Sequence, residues 1–450
     1  MTPASRTRPL HLPLHLPLSR LLLSVPALLL LGACSTTPSV NVPSAPATTA
    51  TATASATPPV TASVPAAEPT TGTTAPLNCP PPAAAPVCQP EPQKPPPAAP
   101  WRAAEWEALP GWQSDDLSQM WPALLASCRV LKGDMQKAWG TSCTAAAQLG
   151  PTASTANIRE FLQANLAPWQ LINADASETG LITGYYEPLI RGSRTATSKY
   201  ATPVLGVPDD LIVVDLGELY PELKNMRLRG RIEGRKLVPY WTSAELDAKT
   251  GTLPAKTLLW TDDLVEYVFL QIQGSGQVQL EDGSRVRIAY ADQNGHPFKS
   301  IARWLINQGE LTVDKASMQG IQAWARNNPK RIPELIAANP SYVFFREEAA
   351  NGEGPKGAQG LPLTAGRSIA VDPRSIAMGT PVFLAFNTLD GKPVQRLMLA
   401  QDTGGAIRGR IRADFYWGFG AEAGAIAGRM RQQGRMWVLW PRGSQPPAIP

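Results

Sequence analysis

The sequence predicts a mainly β, α+β fold in two domains, carried behind a long N-terminal tether. Three observations lead there. Helical spacing is concentrated in an early block, short β-rich runs bounded by Gly and Pro follow it, and the Trp- and aliphatic-rich stretch from Trp101 to Pro450 is long enough for two domains. Many short strands with turn signals between them point to barrels.

The N-terminus comes first. Arg6, Arg8 and Arg20 precede the apolar run Leu21–Leu31, which is too short, and too interrupted by Pro26, to span a membrane. It ends in Leu31-Gly-Ala-Cys34, the pattern of a bacterial lipoprotein cleavage site, so residues 1–33 read as a signal peptide and Cys34 as the lipidated first residue. A plain signal peptide cleaved after Ala33 is the alternative. Ser35 follows, not aspartate; by resemblance to known lipoproteins this implies the outer membrane, periplasmic face, with N-terminal acyl chains in the lipid. Residues 34–100 are Thr, Ala, Pro and Ser with almost no charge, a composition that buries too little to offset chain entropy and reads as a disordered tether. Cys79, Cys88, Cys128 and Cys143 form an even set that allows three pairings; short loops favour Cys79 with Cys88 and Cys128 with Cys143.

Helical spacing covers residues 103–149, where Trp121, Leu124, Leu125 and Cys128 share a stripe, and Ile158–Asn165. Strand-like runs follow at Leu211–Asp215, Leu264–Ile272, Arg285–Tyr290, Pro381–Phe386, Arg396–Ala400 and Met436–Trp440. Helical interludes fall at Lys299–Gln308, Ser317–Asn327 and Ala421–Gln433.

The inventory narrows the chemistry. Only three histidines occur, and two of them, His11 and His15, lie in the signal, which removes multi-histidine zinc sites and makes a Ser-His-Asp triad a poor reading. His296, in Asn294-Gly-His-Pro-Phe298, has a turn composition and reads as structural. No phosphate-cradling glycine loop or basic stripe appears, so nucleotide cofactors and nucleic acid have no support, and the net charge of +5 is mild. No cofactor or metal is expected, which leaves proton transfer to carboxylates.

Asp402 follows the apolar run Arg396–Ala400 and precedes two glycines; it either braces its own turn or presents a carboxylate where backbone can approach a ligand. Asp414 opens Asp414-Phe-Tyr-Trp-Gly418, which is either a sugar grip, with aromatic faces beside an acid, or a core aromatic cluster with a solvated aspartate. Thr183-Gly-Tyr-Tyr-Glu-Pro188 clusters Tyr185, Tyr186 and Glu187. In Gln271-Ile-Gln-Gly-Ser-Gly276, a strand would point Gln271 and Gln273 to one face, for sugar binding or cross-strand bonding.

Together these segments, with Tyr290–Ile301, Asn339–Phe345, Val371-Asp-Pro373, Gln401–Ile407 and Ala413–Gly418, resemble the membrane-bound lytic murein transglycosylase A family from about Leu181 to Leu439. The resemblance implies a peptidoglycan lytic transglycosylase that cleaves the β-1,4 bond between N-acetylmuramic acid and N-acetylglucosamine and leaves a 1,6-anhydro end. It also implies a double-psi β-barrel domain from residues 101–205 and 346–445, an inserted β-barrel domain at 206–345, and glycan in the groove between them. Asp414 corresponds to the catalytic acid, Asp402 to its supporting carboxylate and Asp372 to the third aspartate of the module. Tyr185, Tyr186, Glu187, Gln271, Gln273, Gly274, Ser275, Gly276 and Tyr416 are the expected substrate contacts. The expected partner is the glycan strand, with other cell-wall enzymes as candidates and the chain a monomer. An inverting glycoside hydrolase and a non-catalytic wall-binding lipoprotein are the alternatives; a lone Asp402-Thr-Gly triplet gives an aspartic peptidase little support. Arg408, Arg410 and Arg412 would face Asp414 on a regular strand and favour its charged form, so the acid role calls for a bend near Ala413 or for arginines occupied by Asp402 or by substrate.

Overall fold

The computed structural model describes residues 98–449, except 224, 225, 227 and the side chain at 222. Cys34, Cys79, Cys88 and most of the tether lie outside the described residues. The chain starts with β1 (Trp101–Ala103), the helices α1 (Trp121–Val130), α2 (Gly133–Leu149) and α3 (Thr155–Asn165), then β2 (Leu166–Leu171) and β3 (Gly180–Glu187). It crosses to a second sheet through β4 (Leu189–Ser193) and β5 (Thr202–Leu205), and forms a small arm from β6 (Ile212–Val213), β7 (Arg229–Glu233) and β8 (Lys236–Pro239). After α4 (Ser243–Ala248) come β9 (Thr257–Thr261), α5 (Leu264–Gln273), β10 (Ser275–Gln279) and β11 (Arg285–Gln293). Helices α6 (Ile301–Asn307), α7 (Met318–Asn327) and α8 (Ile332–Ala337) precede β12 (Val343–Ala349). The chain then returns to the first sheet with β13 (Ser368–Val371), β14 (Pro381–Asn387), β15 (Pro393–Asp402) and β16 (Arg412–Phe419), then α9 (Gly420–Ala427) and β17 (Arg431–Pro441).

The first sheet runs β1-β2-β17-β14-β15-β13-β16-β3, and β3 pairs with β17 as well. The second runs β12-β11-β10-β4-β9-β5. Strand β14 shows why its sequence is apolar throughout and does not alternate. Phe383 packs on one side with Leu124, Ile158 and Leu162 of the helices, while Val382 and Leu384 pack on the other with Ile182, Val371 and Phe415. The expected stripe on α1 does meet this helical layer: Trp121 and Leu124 are buried, and Leu125 packs against them. Cys128 and Cys143 are bonded, which ties α1 to α2 and matches the short-loop pairing.

Two expectations from the sequence fail. Leu264–Gln273 is a helix, not a strand. Its Val, Tyr, Phe and Ile content suits either state, but its ends decide. Asp263 accepts the N–H groups of Val265 and Glu266 as an N-cap, and Gly274 takes the left-handed conformation (φ 83°) that closes a helix C-terminus. Val265, Val268 and Phe269 then bury one face against α6 to α8. The second failure is the helix at Ala421–Gln433, which stops at Ala427. From Arg431 the chain is a strand paired with β3, Arg431 opposite Thr183 and Gly434 opposite Gly180. Gly434 is required there, because a Cβ would lie 2.7 Å from Ile182 and 3.0 Å from the Ala385 carbonyl.

Candidate active site

Strands β3 and β16 run parallel, with Asp414 in register with Thr183 and Tyr416 with Tyr185. Strand β15 ends at Asp402 beside β13. These ends bring Asp402, Asp414 and Tyr185 to one wall of a cleft of about 680 Å³. The facing wall comes from the second sheet and its helices: Gln271, Gln273, Tyr290, His296, Phe298 and Val343.

The two carboxylates are held differently. Asp402 accepts three hydrogen bonds, from the amides of Ala358 (3.0 Å) and Thr403 (2.9 Å) and from the Tyr185 hydroxyl (3.0 Å). Asp414 accepts one, from the Thr183 hydroxyl at 2.5 Å. Burial lifts both carboxyls above their ordinary range. At Asp402 the two amides and Tyr185 pull the other way, and the charge of Asp414 adds to the rise. At Asp414 the Thr183 hydroxyl and the Arg412 charge oppose it. Tyr185 is pushed well above its usual range, first by burial and then by the two carboxylates, so it stays a neutral donor.

The expected bend at Ala413 is absent, and it is backbone carbonyls that engage the arginines. Strand β16 is regular from Arg412 through Asp414, and only Arg412 shares that strand. Its guanidinium donates to the carbonyls of Leu181 and Ala413. Arg410 turns away to the carbonyls of Ala98 and Ile172, and Arg408 donates to those of Gly404 and Ile407.

Of the other expected contacts, Gln271, Gln273 and Gly274 line the cleft, but not as a strand face. On α5 the two amides diverge: Gln271 accepts the Val343 N–H and Gln273 accepts the Tyr186 N–H, which ties α5 to both sheets. Ser275 and Gly276 sit in β10 behind the cleft wall, where a Cβ on Gly276 would meet Leu270 at 2.4 Å. Tyr186 packs against Gly424 and bonds the Met318 sulfur. Tyr416 is buried and packs at a tilt against Tyr185, with ring centroids 5.2 Å apart. Its neighbour Phe415 lies in the interior with Ile182 and Val371, so Asp414-Phe-Tyr-Trp supports the site from beneath.

Glu187 is fully buried and paired with Arg287 of β11 at 2.5 Å, with Gln277 donating to it at 3.1 Å. Asp372 is likewise buried beside the cleft. Burial opposes its charge, but the Arg374 side chain and the amides of Gly409 and Arg374 outweigh that and hold the carboxyl below its usual range.

Sequence reasoning missed Thr183, Arg374, Tyr290 and Phe298. Tyr290 and Phe298 could have been found, since both stand in the same quoted segment as His296. That histidine keeps a structural bond, its Nε2 donating to the Tyr240 carbonyl at 2.7 Å, yet it also lines the cleft. Among the described residues no group of His, Cys, Asp and Glu could hold a metal ion, and no helix is long and apolar enough to cross a membrane.

Residues 181–346 match the family described as the MltA specific insert domain, and residues 367–440 match the 3D domain. The chain is 33% identical over 294 residues to the membrane-bound lytic murein transglycosylase A of Escherichia coli (strain K12), covering 63% of this chain and 71% of that relative. MltA from Neisseria gonorrhoeae, in a monoclinic crystal form, is similar with a TM-score of 0.67 at 34% identity, over 79% of this chain and 98% of that one. Escherichia coli MltA solved with bound chitohexaose gives 0.55 at 28% identity, over 73% and 90%. The mixed arrangement of helices and sheets seen here resembles the fold of these proteins.

Proposed function

The chain belongs to the membrane-bound lytic murein transglycosylase A family, and from that premise we propose that it is a peptidoglycan lytic transglycosylase with Asp414 as its single proton shuttle. The observation that carries the role of Asp414 is the unequal solvation of the two carboxylates. Three donors favour the ionised form of Asp402, whereas one neutral hydroxyl leaves Asp414 Oδ2 to hold a proton. Burial raises both carboxyls, and the unequal donors support Asp414 as the one that carries the proton.

The step follows from that placement. Asp414 protonates the glycosidic oxygen as the bond from the muramyl C1 breaks, and the carboxylate it becomes is steadied by Thr183 and by the charge of Arg412. The muramyl C6 hydroxyl then attacks C1, closes the 1,6-anhydro ring and returns its proton to Asp414. No water is consumed. A hydrolase would need Asp402 to activate water, but three of a carboxylate's roughly four acceptor sites are taken there.

Three further parts of the reading rest on the same premise. The circuit β17-β14-β15-β13-β16-β3, with β3 back on β17, supports the double-psi barrel domain. The inserted domain is drawn from about residue 189, because β4 and β5 pair within the second sheet. The lipid anchor at Cys34, the outer-membrane address and the tether are carried by the N-terminal sequence alone. Mass spectrometry of muropeptides released from purified sacculi tests the activity: 1,6-anhydro ends are expected, and reducing muramic ends would make the enzyme a hydrolase.

A further inference from the structure

The cleft that would hold a glycan has an unequal charge distribution. Its facing wall, built of amides, aromatics and His296, has no carboxylate, lysine or arginine, while the wall with Asp402 and Asp414 also carries Arg374, Arg408 and Arg412. A neutral sugar chain gives such cations nothing to pair with. Arg408 and Arg412 are turned onto backbone carbonyls, and Arg412 stands next to the proton shuttle.

Arg374 is built otherwise. Its Nε and Nη2 meet Asp372 side-on at 3.0 and 2.6 Å, and the buried Asp372 is fixed in turn by the Gly409 amide at 2.9 Å. The Asp372 side chain is 2% exposed while that of Arg374 is 45% exposed. The buried partner therefore holds the guanidinium rigid at the cleft surface. Two of its five N–H donors serve Asp372, and among the described residues Nη1 has no hydrogen-bond partner. A fork clamped in this way has already lost the rotamer freedom that a flexible arginine would lose on binding, so its remaining donors suit a planar anion.

We infer that Arg374, clamped by Asp372, is a subsite for the carboxylate carried by the muramyl unit, and that it sets which of the alternating sugars occupies the position beside Asp414. This rests on the proposed peptidoglycan substrate. The carboxylate has two sources: the lactyl group of a peptide-free muramyl residue, or the acids of a peptide stem. The same clamp gives Asp372 a purpose outside the cleft: it is a positioning residue for Arg374.

Calorimetric titration of the full chain carrying Asp414→Asn, which slows consumption of the ligand, separates the cases. The probes are chitohexaose, peptide-free murein glycan strands and stem-bearing strands. Adding Arg374→Gln is expected to weaken binding of muramyl-containing strands about tenfold and to leave chitohexaose unchanged. A loss on peptide-free strands assigns the lactyl carboxylate; a loss confined to stem-bearing strands assigns the stem. Equal losses on all three probes would mean that Arg374 only shapes the loop, and no loss on either muramyl strand would also overturn the inference. Arg374→Lys keeps the charge opposite Asp372 and lacks the fork, so it carries the same comparison, with a smaller selective loss, if the glutamine variant does not fold. Product analysis of the unmodified enzyme tests the lytic activity separately, because these titrations read binding alone.

Discussion

Arg287→Met should destabilise the protein without touching glycan affinity. The Glu187 and Arg287 side chains are 1% and 3% exposed, bonded at 2.5 and 3.3 Å, and Arg287 also holds the Glu353 carbonyl. Glu187 closes β3 of the first sheet and Arg287 lies in β11 of the second, so the pair latches one sheet to the other. Removing the cation leaves a buried carboxylate with, among the described residues, Gln277 alone as a donor, which costs about 3–5 kcal/mol. At roughly 2 °C per kcal/mol, the low end suited to a chain of this size, the unfolding midpoint falls by about 6–10 °C. Replacing both residues, as Glu187→Gln with Arg287→Met, removes the stranded charge and should recover at least half of that loss, since a neutral pair needs no counter-ion. Differential scanning fluorimetry on the two single variants and the double variant measures this, with calorimetric titration of glycan well below the midpoint. A shift under about 2 °C for Arg287→Met, or a double variant no better than the single, would refute the latch. Weaker glycan binding by Glu187→Gln at unchanged midpoint would return Glu187 to the substrate contacts.

The proposed proton shuttle gives three more tests. Asp414→Asn should lower turnover on sacculi by at least about 10²–10⁴ with binding retained, while Asp402→Asn should chiefly move the activity maximum to lower pH, because losing a negative neighbour makes Asp414 easier to ionise; the reverse ranking would move the acid to Asp402. Thr183→Val removes the bond that favours ionised Asp414, so the alkaline limb of the pH–rate profile should move up, and a downward movement would show that Thr183 bonds the protonated form. Since burial raises both carboxyls, the native state holds protons more tightly than the unfolded chain, and the resulting cost appears as pH rises from the unfolded carboxyl range through the raised native values. Asp414→Asn should therefore melt higher than the parent above that window and no differently below it. Finally, replacing Cys128 and Cys143 by serine opens a loop with a sequence separation of 15 and should cost about 3 kcal/mol in denaturant titration; no change would mean the unfolded chain gains no freedom from the cut.

The local motifs around Asp402 and Asp414 leave each open between a structural and a functional part, and it is the family resemblance that singles them out; the structure brings both to one cleft. What each aspartate touches could not be read. Thr183 bonds Asp414 across a separation of 231 residues, and no local pattern reports a contact made by parallel strands that distant. The misread α5 was a different failure. Asp263 and Gly274 stood in the sequence as cap signals, and weight given to β-forming side chains hid them. The aromatics after Asp414 read equally as a sugar grip or a core cluster, because a strand pattern does not say which face is buried; Phe415 and Tyr416 both lie in buried clusters.

The last strand has a consequence in time. Strand β17 pairs with β14, β2 and β3, so the sheet that holds Thr183 and Asp414 is complete only when residues near the C-terminus have been made. A chain synthesised from its N-terminus can finish its second sheet, β4 to β12, while β13 to β17 are still missing. A chain that ends before β16 therefore lacks Asp414, and one that ends before β17 lacks the strand that joins β3 to β14 and β2.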